Sequence, residues 1–444
     1  MLLPGILLIV PLSQELQKDR QHPVRLGNMV IDYTSPIRKL DPLAMGMDIS
    51  GYGTPNVLVN DQLEQQKLKA LGMKYMRIGL KYSTPGDPTS KIICSGSGCD
   101  TRWTGSQWIQ TIKSLGAQPL ILVPSSPVDA ANMVKYFNKD TNNYVRYWVI
   151  GNEPDLANIP AATYSINFNQ EYDAMKAIDP TIKIGGGVTA WYDAPFLQAF
   201  LQQSGKRVDF VDFHSYGQEG KVPGDETVLF QRATQLSNDI NNLRSLIQRI
   251  VPGRASQIGI EVGEWELNWN GDAQNQTNFH AVWTASVLGH ILSSGSKSLF
   301  YADKNNALYE NWHVITISHE RKVTIHVDDP GPAYHGIGMF TGEGLFRGFG
   351  DTLVRAYTTL PQVEVYASNT PKNIVVFNKD PSMARIAVVR LKGVNAGKIE
   401  IWRKDGSMPF LNPPLKLGTR PVLNGTFTCW LPPLSVTVFL LHPA

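Results

Sequence analysis

Two stretches of the chain deliver carboxylates directly after apolar runs. In YWVIGNEPDL (147–156) the run that begins at Tyr144 stops at Gly151 and presents Asn152, Glu153, Pro154 and Asp155 together. In IGIEVGEWELNW (258–269) a second apolar segment ends among Glu261, Glu264 and Glu266. A glutamate at the end of a stiff strand is held to a fraction of an ångström, which reactive groups require. Gly, Asn, Pro and Asp are also turn formers, so the first stretch taken alone reads equally as a turn. Two carboxyl groups facing one another suit cleavage of a glycosidic bond. One protonates the leaving oxygen, and the other attacks the anomeric carbon or activates water. A separation of about 5–5.5 Å gives retention and about 6.5–9.5 Å gives inversion.

The elements that must position these groups follow from the apolar pattern. Eight short runs fall at 44–50, 75–80, 118–124, 144–150, 182–187, 208–216, 258–265 and 297–303. Most are continuous rather than alternating, as strands buried on both faces of a parallel sheet should be. Helical patterns lie between them at 61–72, 104–116, 164–179, 195–205, 227–250 and 278–295, several ending in Gly or Asp-Pro. The alternation predicts an α/β fold, one (β/α)₈ TIM barrel over 41–330. The rival, an open doubly wound sheet, would favour G-x-G-x-x-G after the first strand, and none occurs. Beyond about Asp329 short strand-like runs alternate with Gly, Pro, Asn and Asp, predicting a smaller all-β sandwich over 331–444. Residues 28–40 alternate like a sandwich strand and are expected to pair with that module, leaving 1–20 as a leader segment.

Glu-Pro after strand four with Glu-aromatic at strand seven resembles the clan A glycoside hydrolases, retaining enzymes built on a (β/α)₈ barrel. The resemblance makes Glu153, after Asn152, the acid/base and Glu264, before Trp265, the nucleophile, with Glu261 as the rival nucleophile. It places Asn152 on the sugar 2-hydroxyl, Arg77 at the end of strand two beside the nucleophile, and His214 with Tyr216 at the end of strand six, the Tyr donating to the nucleophile. The bland readings are a rim salt bridge for Arg77 and a core imidazole for His214. Barrel plus a sandwich built from both termini looks most like the arabinofuranosidase, xylosidase, heparanase-like glucuronidase and xyloglucan-active endoglucanase branches. Many members carry Trp at the end of strand eight; here FYADKNN stands there, leaving Tyr301 or Trp312 as the platform.

The two glutamates must differ in acidity: Glu153 protonated near neutral pH, Glu264 ionised by Arg77 and the Tyr216 hydroxyl. Trp191, Trp265 and Trp269 follow strands five and seven, where flat rings stack on sugars or simply pack. The chemistry needs no metal or organic cofactor. Serine-hydrolase G-x-S-x-G and the zinc motif H-E-x-x-H are both missing from the sequence. The first expectation is endo-action on a β-linked glucan or xylan, then exo-removal of an arabinosyl, xylosyl or glucuronyl unit. A non-catalytic carbohydrate-binding barrel is the reading of another class.

The totals bound the partners. The chain has 444 residues, 41 basic against 38 acidic, a formal charge of +3. That balance offers no electrostatic case for nucleic acid or an anionic membrane, so the expected partner is an oligo- or polysaccharide. The apolar N-terminus, MLLPGILLIVPLS, is too short to span a bilayer and suits an export signal. Sequons at Asn275 and Asn424 are compatible with secretion. Of three cysteines, Cys94 and Cys99 bracket a flexible Ser-Gly-Ser-Gly that a disulfide could close, and Cys429 is left as a lone thiol.

Overall fold

The computed structural model of the chain describes residues 24–49, 58–81, 92–94, 99–100, 103–123, 126–302, 309–310, 315–318, 321–323 and 329–443. Residues 1–20 (expected to be a leader), the sulfur atoms of Cys94 and Cys99, and Trp312 lie outside the described residues.

Each of the eight apolar runs becomes a strand of one parallel barrel: β1 (Met45–Ile49), β2 (Tyr75–Lys81), β3 (Gln118–Val123), β4 (Tyr147–Ile150), β5 (Lys183–Thr189), β6 (Phe210–Gln218), β7 (Gly259–Asn268) and β8 (Lys297–Ala302). They pair in that order, and β8 pairs back on β1, closing the ring. Among the described residues eight α-helices cover it: α1 (Gln62–Leu71), α2 (Gly105–Ser114), α3 (Pro127–Lys135), α4 (Ala161–Ile178), α5 (Ala194–Ser204), α6 (Glu226–Ile250), α7 (Asn278–Ser294) and α8 (Pro332–Thr341). Local chemistry sets their ends. Asp61 and Ser126 accept from first-turn amides, Thr104 and Gln107 form a capping box, and Gly72 and Gly295 close helices in the left-handed conformation. Helix α7 is buried on nearly every side because it packs between α6 and α8 as well as on the barrel.

The barrel lumen is a packed core, filled by Tyr75, Leu120, Val149, Val188, Phe210 and Leu299. An ion pair crosses it between β7 and β8. Lys297 Nζ donates to Glu261 Oε1 at 2.7 Å, and the ammonium lies 4.6 Å from the centre of the Tyr75 ring and 4.9 Å from that of Tyr147.

The barrel unit runs from Leu40 to Arg347, beyond the boundary expected at 330. The cause is α8, which the sequence reading assigns to the β-sandwich but whose span from Pro332 holds nine buried residues packed on α7 and α1. The second unit joins 348–443 to the strand Val24–Lys39. That N-terminal strand runs antiparallel to β9 (Thr352–Thr358) and parallel to β10 (Ala384–Lys392), with irregular register around Pro36, which has no amide N–H to donate. The unit is one nine-stranded, mostly antiparallel sheet rather than two separate ones. It turns back on itself: Arg403 on one arm donates to the Trp430 carbonyl on the other at 2.6 Å, over a shared core that includes Cys429.

Candidate active site

The site begins where β4 ends. Gly151 has φ 87°, and a Cβ there would lie 2.7 Å from the Tyr164 ring, so the position needs glycine. Tyr164 locks the turn, donating to the Ile150 carbonyl at 2.7 Å and accepting from the Gly187 amide at 3.0 Å. Glu153 itself has φ 45°, an uncommon conformation for a residue with a side chain, and its amide donates to the Val188 carbonyl at 2.8 Å. Asp155 accepts from the Ala190 amide, tying the turn after β4 to the loop after β5.

On β7 the pairing register with β6 shifts between Val262 and Glu264. In a regular strand residues three apart face opposite sides. The bulge at Gly263 resets the alternation, so Glu261 and Glu264 both enter the lumen. They have different neighbours there. Glu261 is engaged by Lys297 and, at 3.4 Å, by the Tyr75 hydroxyl. Glu264 lies beside Arg77, His214 and Tyr216, which makes it rather than Glu261 the strand-seven carboxylate facing Glu153. Glu266 pairs with His280 of α7 and accepts from the Asn268 amide.

Around Glu264 the contacts are short. Arg77 Nη1 donates to Oε1 at 2.5 Å and the Tyr216 hydroxyl to Oε2 at 2.7 Å. Arg77 Nη2 donates to Asn152 Oδ1 at 2.6 Å, leaving the Asn152 amide nitrogen for other partners. His214 Nδ1 lies 2.9 Å from Glu153 Oε1 and 3.5 Å from Glu264 Oε2, between the two carboxyls. Oxygens of Glu153 and Glu264 come within 4.8 Å of each other.

The electrostatics around Glu264 are well defined. Burial opposes ionisation of Glu264, but the His214 charge, the Arg77 guanidinium and the two hydrogen bonds outweigh it and hold the carboxyl at about 2. Burial lowers His214, yet Glu264 and the bond to Glu153 raise it further, favouring the imidazolium. Burial, reinforced by Glu264, raises Tyr216 well above its usual range, so it remains a donor. Glu153, His214 and Glu264 offer ligand atoms at metal-site spacing. The charges disfavour a cation: Arg77 already balances Glu264, and an imidazolium has no lone pair to give.

Two residues of the cluster were missed in the sequence. Asp48 on β1 accepts from Arg77 Nη1 at 2.6 Å, and burial raises it to about 7. Asp212 on β6 is fully buried, both its oxygens lack a hydrogen-bond partner among the described residues, and burial raises it to about 7 as well. Its carboxylate occupies the space a Cβ at Gly263 would need. The signal was available: a lone Asp inside MGMDI and inside FVDFH is a charge within an otherwise apolar strand.

The aromatic candidates divide. Trp269 is half exposed, with its ring edge-on to Tyr216 at 5.5 Å, and the Tyr301 ring lies 6.0 Å from Tyr216. Trp191 is half exposed on the loop beside Ala190. Trp265 is not available to a sugar. The same bulge that turns Glu264 inward turns Trp265 outward, where it is fully buried against Phe300 and Trp283 and donates to Ser298 Oγ at 2.8 Å.

The model for glycosyl hydrolases family 39 matches residues 130–328, a span containing both glutamates. No curated protein matches the chain. Among solved structures, the α-L-arabinofuranosidase from Thermotoga maritima superposes with a TM-score of 0.75 at 16% identity, covering 94% of this chain and 100% of that one. CelM2, a bifunctional glucanase-xylanase from a metagenome library, gives 0.68 at 14%, covering 95% and 100%. A family 44 xyloglucanase from Paenibacillus polymyxa, with xyloglucan, gives 0.69 at 15%, again covering 95% and 100%.

Proposed function

We propose that this chain, a clan A glycosidase built on a (β/α)₈ barrel, cleaves a β-linked glucan or xylan internally with retention of configuration. The observation that carries retention is the approach of Glu153 and Glu264 oxygens to within 4.8 Å. That suits the roughly 5–5.5 Å spacing at which one carboxylate attacks directly, and leaves no room for the water that inversion places between them.

In the first step Glu264 attacks the anomeric carbon while Glu153 gives its proton to the departing oxygen. The C–O bond to the leaving sugar breaks and an ester to Glu264 forms. In the second step Glu153 takes a proton from water, which attacks the same carbon and frees Glu264. Arg77 and Tyr216 keep Glu264 anionic and aimed; His214 steadies Glu153 through Nδ1. Asn152 has its amide nitrogen free for the sugar 2-hydroxyl, because Arg77 takes its oxygen.

Endo-action is supported by half-exposed Trp191 and Trp269, flat rings of the kind that stack on sugar faces, and by the likeness to CelM2 and the xyloglucanase. The likeness to the T. maritima enzyme favours a second reading, exo-release of an arabinosyl unit. The proposal extends to export. Asn424 lies exposed in a tight turn, whereas Asn275 is buried with its oxygen engaged by Asn268 and Asp272. Among the described residues no helix is long and apolar enough to cross a membrane. Incubation with β-glucan, xylan, xyloglucan and arabinan, with products sized and the first-formed anomer read by NMR, tests the proposal. Internal cuts with retained configuration are expected; single released sugars favour the exo reading, and an inverted first product refutes the double displacement.

A further inference from the structure

One nitrogen of Arg77 serves two carboxyls. Nη1 donates to Glu264 Oε1 at 2.5 Å and to Asp48 Oδ2 at 2.6 Å. Arg77 is 1% exposed and Asp48 5%, so little solvent screens the three groups. Double displacement upsets their balance. Once Glu264 has bonded to the anomeric carbon its negative charge is gone, while Arg77 keeps its own, and a buried cation without a counter-charge is costly.

We propose that Asp48 supplies the counter-charge of Arg77 while Glu264 is covalently occupied. Asp48 is then a positioning residue, acting through Arg77 rather than on the sugar, and its role rests on the double displacement proposed above. The groups facing it are Arg77 on β2, Glu264 on β7, and His214 and Tyr216 on β6, with Tyr301 its register partner on β8. In the resting site burial raises Asp48, Arg77 lowers it and ionised Glu264 raises it again, so it holds a proton below about pH 7. Ester formation removes the Glu264 charge. Asp48 then releases its proton to bulk water and becomes the anion paired with Arg77. When water cleaves the ester, Glu264 regains its charge and Asp48 takes a proton back.

Asp48→Asn keeps the shape and the acceptor but cannot become an anion. It is assayed on a 2,4-dinitrophenyl glycoside of the sugar that wild type accepts, beside E264A. If E264A turns over like wild type, displacement through Glu264 fails whatever Asp48 does. With that control inactive, D48N is expected to lose roughly 10- to 100-fold in kcat/KM, the range usual when an outer partner of a reactive group is removed. Its burst of dinitrophenolate should shrink, and the step near pH 7 in the rate of ester formation should disappear. D48E, which keeps the charge, should recover the burst. A wild-type burst and pH profile in D48N overturn the proposal. Should D48N not fold, D48E decides: a retained burst and pH step are expected, and their loss in a folded protein is the contrary result.

Discussion

Replacing Gly263 by alanine should disable the site without touching a reactive atom. A Cβ at this position would lie 2.2 Å from both Asp212 oxygens and 2.5 Å from Cγ. Carbon and oxygen settle at about 3.3 Å or more, so something must give by about 1 Å. Asp212 is fully buried, and Gly263 immediately precedes Glu264, so β7 is expected to move and take the nucleophile with it. Overpacking of this kind costs about 1–3 kcal/mol, and a 1 Å misplacement at the reacting centre about 100-fold in rate. Thermal unfolding by circular dichroism should show the melting point falling by about 2–4 °C per kcal/mol lost. Kinetics on an activated aryl glycoside should show kcat/KM falling about 100-fold. Asp212→Ala removes the obstructing oxygens at little cost, because its carboxyl has no hydrogen-bond partner to lose among the described residues. The G263A/D212A double variant should therefore recover stability relative to G263A, with a favourable coupling of roughly 1–3 kcal/mol. Wild-type kinetics in G263A, or no relief in the double variant, would show that the packing does not set the position of Glu264.

Other expectations follow from the same contacts. Glu153→Ala should cripple hydrolysis of substrates with poor leaving groups, by about 100-fold or more, while sparing dinitrophenyl glycosides, which depart without a proton; equal loss on both contradicts the acid assignment. Trp269→Ala should raise KM for oligosaccharides roughly 3- to 10-fold, the worth of one stacked ring, while Trp265→Phe should lower the melting point and leave KM unchanged; the reverse pattern contradicts the placement of the rings. The stability curve has a definite sign. Asp48 and Asp212 sit at about 7 against an ordinary 3.8, so the native state holds protons that the unfolded chain releases. Their stabilising contribution is complete below about pH 4 and is lost as pH rises through about 7. Glu264, held at about 2, works oppositely: its contribution is present above about 4.5 and is lost as pH falls toward 2. Melting points from pH 4 to 8 should therefore decline toward pH 7, less steeply in D212A, and an identical decline in D212A contradicts the burial of its acid.

Much of this architecture is legible in the chain because parallel barrel strands are buried on both faces. Such strands write themselves as unbroken apolar runs, and the reactive residues follow each run directly. That is why Glu153 and Glu264 stand out at strand ends; Arg77, His214 and Tyr216 were implied by the resemblance to clan A, and the structure finds all five in one cluster. What was not legible depended on departures from regular geometry. No pattern announces a bulge at Gly263, and without it Trp265 looks as well aimed as Glu264. Helices α3 and α8 begin with Pro, are nine and ten residues long, and were lost among turn-forming neighbours. Asp48 and Asp212 were overlooked because an apolar run is read for its majority. In a buried strand the exception carries the chemistry, since a lone carboxyl there must be paired, protonated or both.

The central claim is that Glu264 becomes covalently bonded to the sugar across from Glu153. The most direct test is to treat the enzyme with the 2-deoxy-2-fluoro glycoside of its own substrate sugar, stop the reaction at the ester, and map the modified peptide by mass spectrometry. One sugar on Glu264, with hydrolysis restored as the ester slowly turns over, is the expected result. A label on Glu261 or any other residue, or inhibition with no covalent mass, would contradict it.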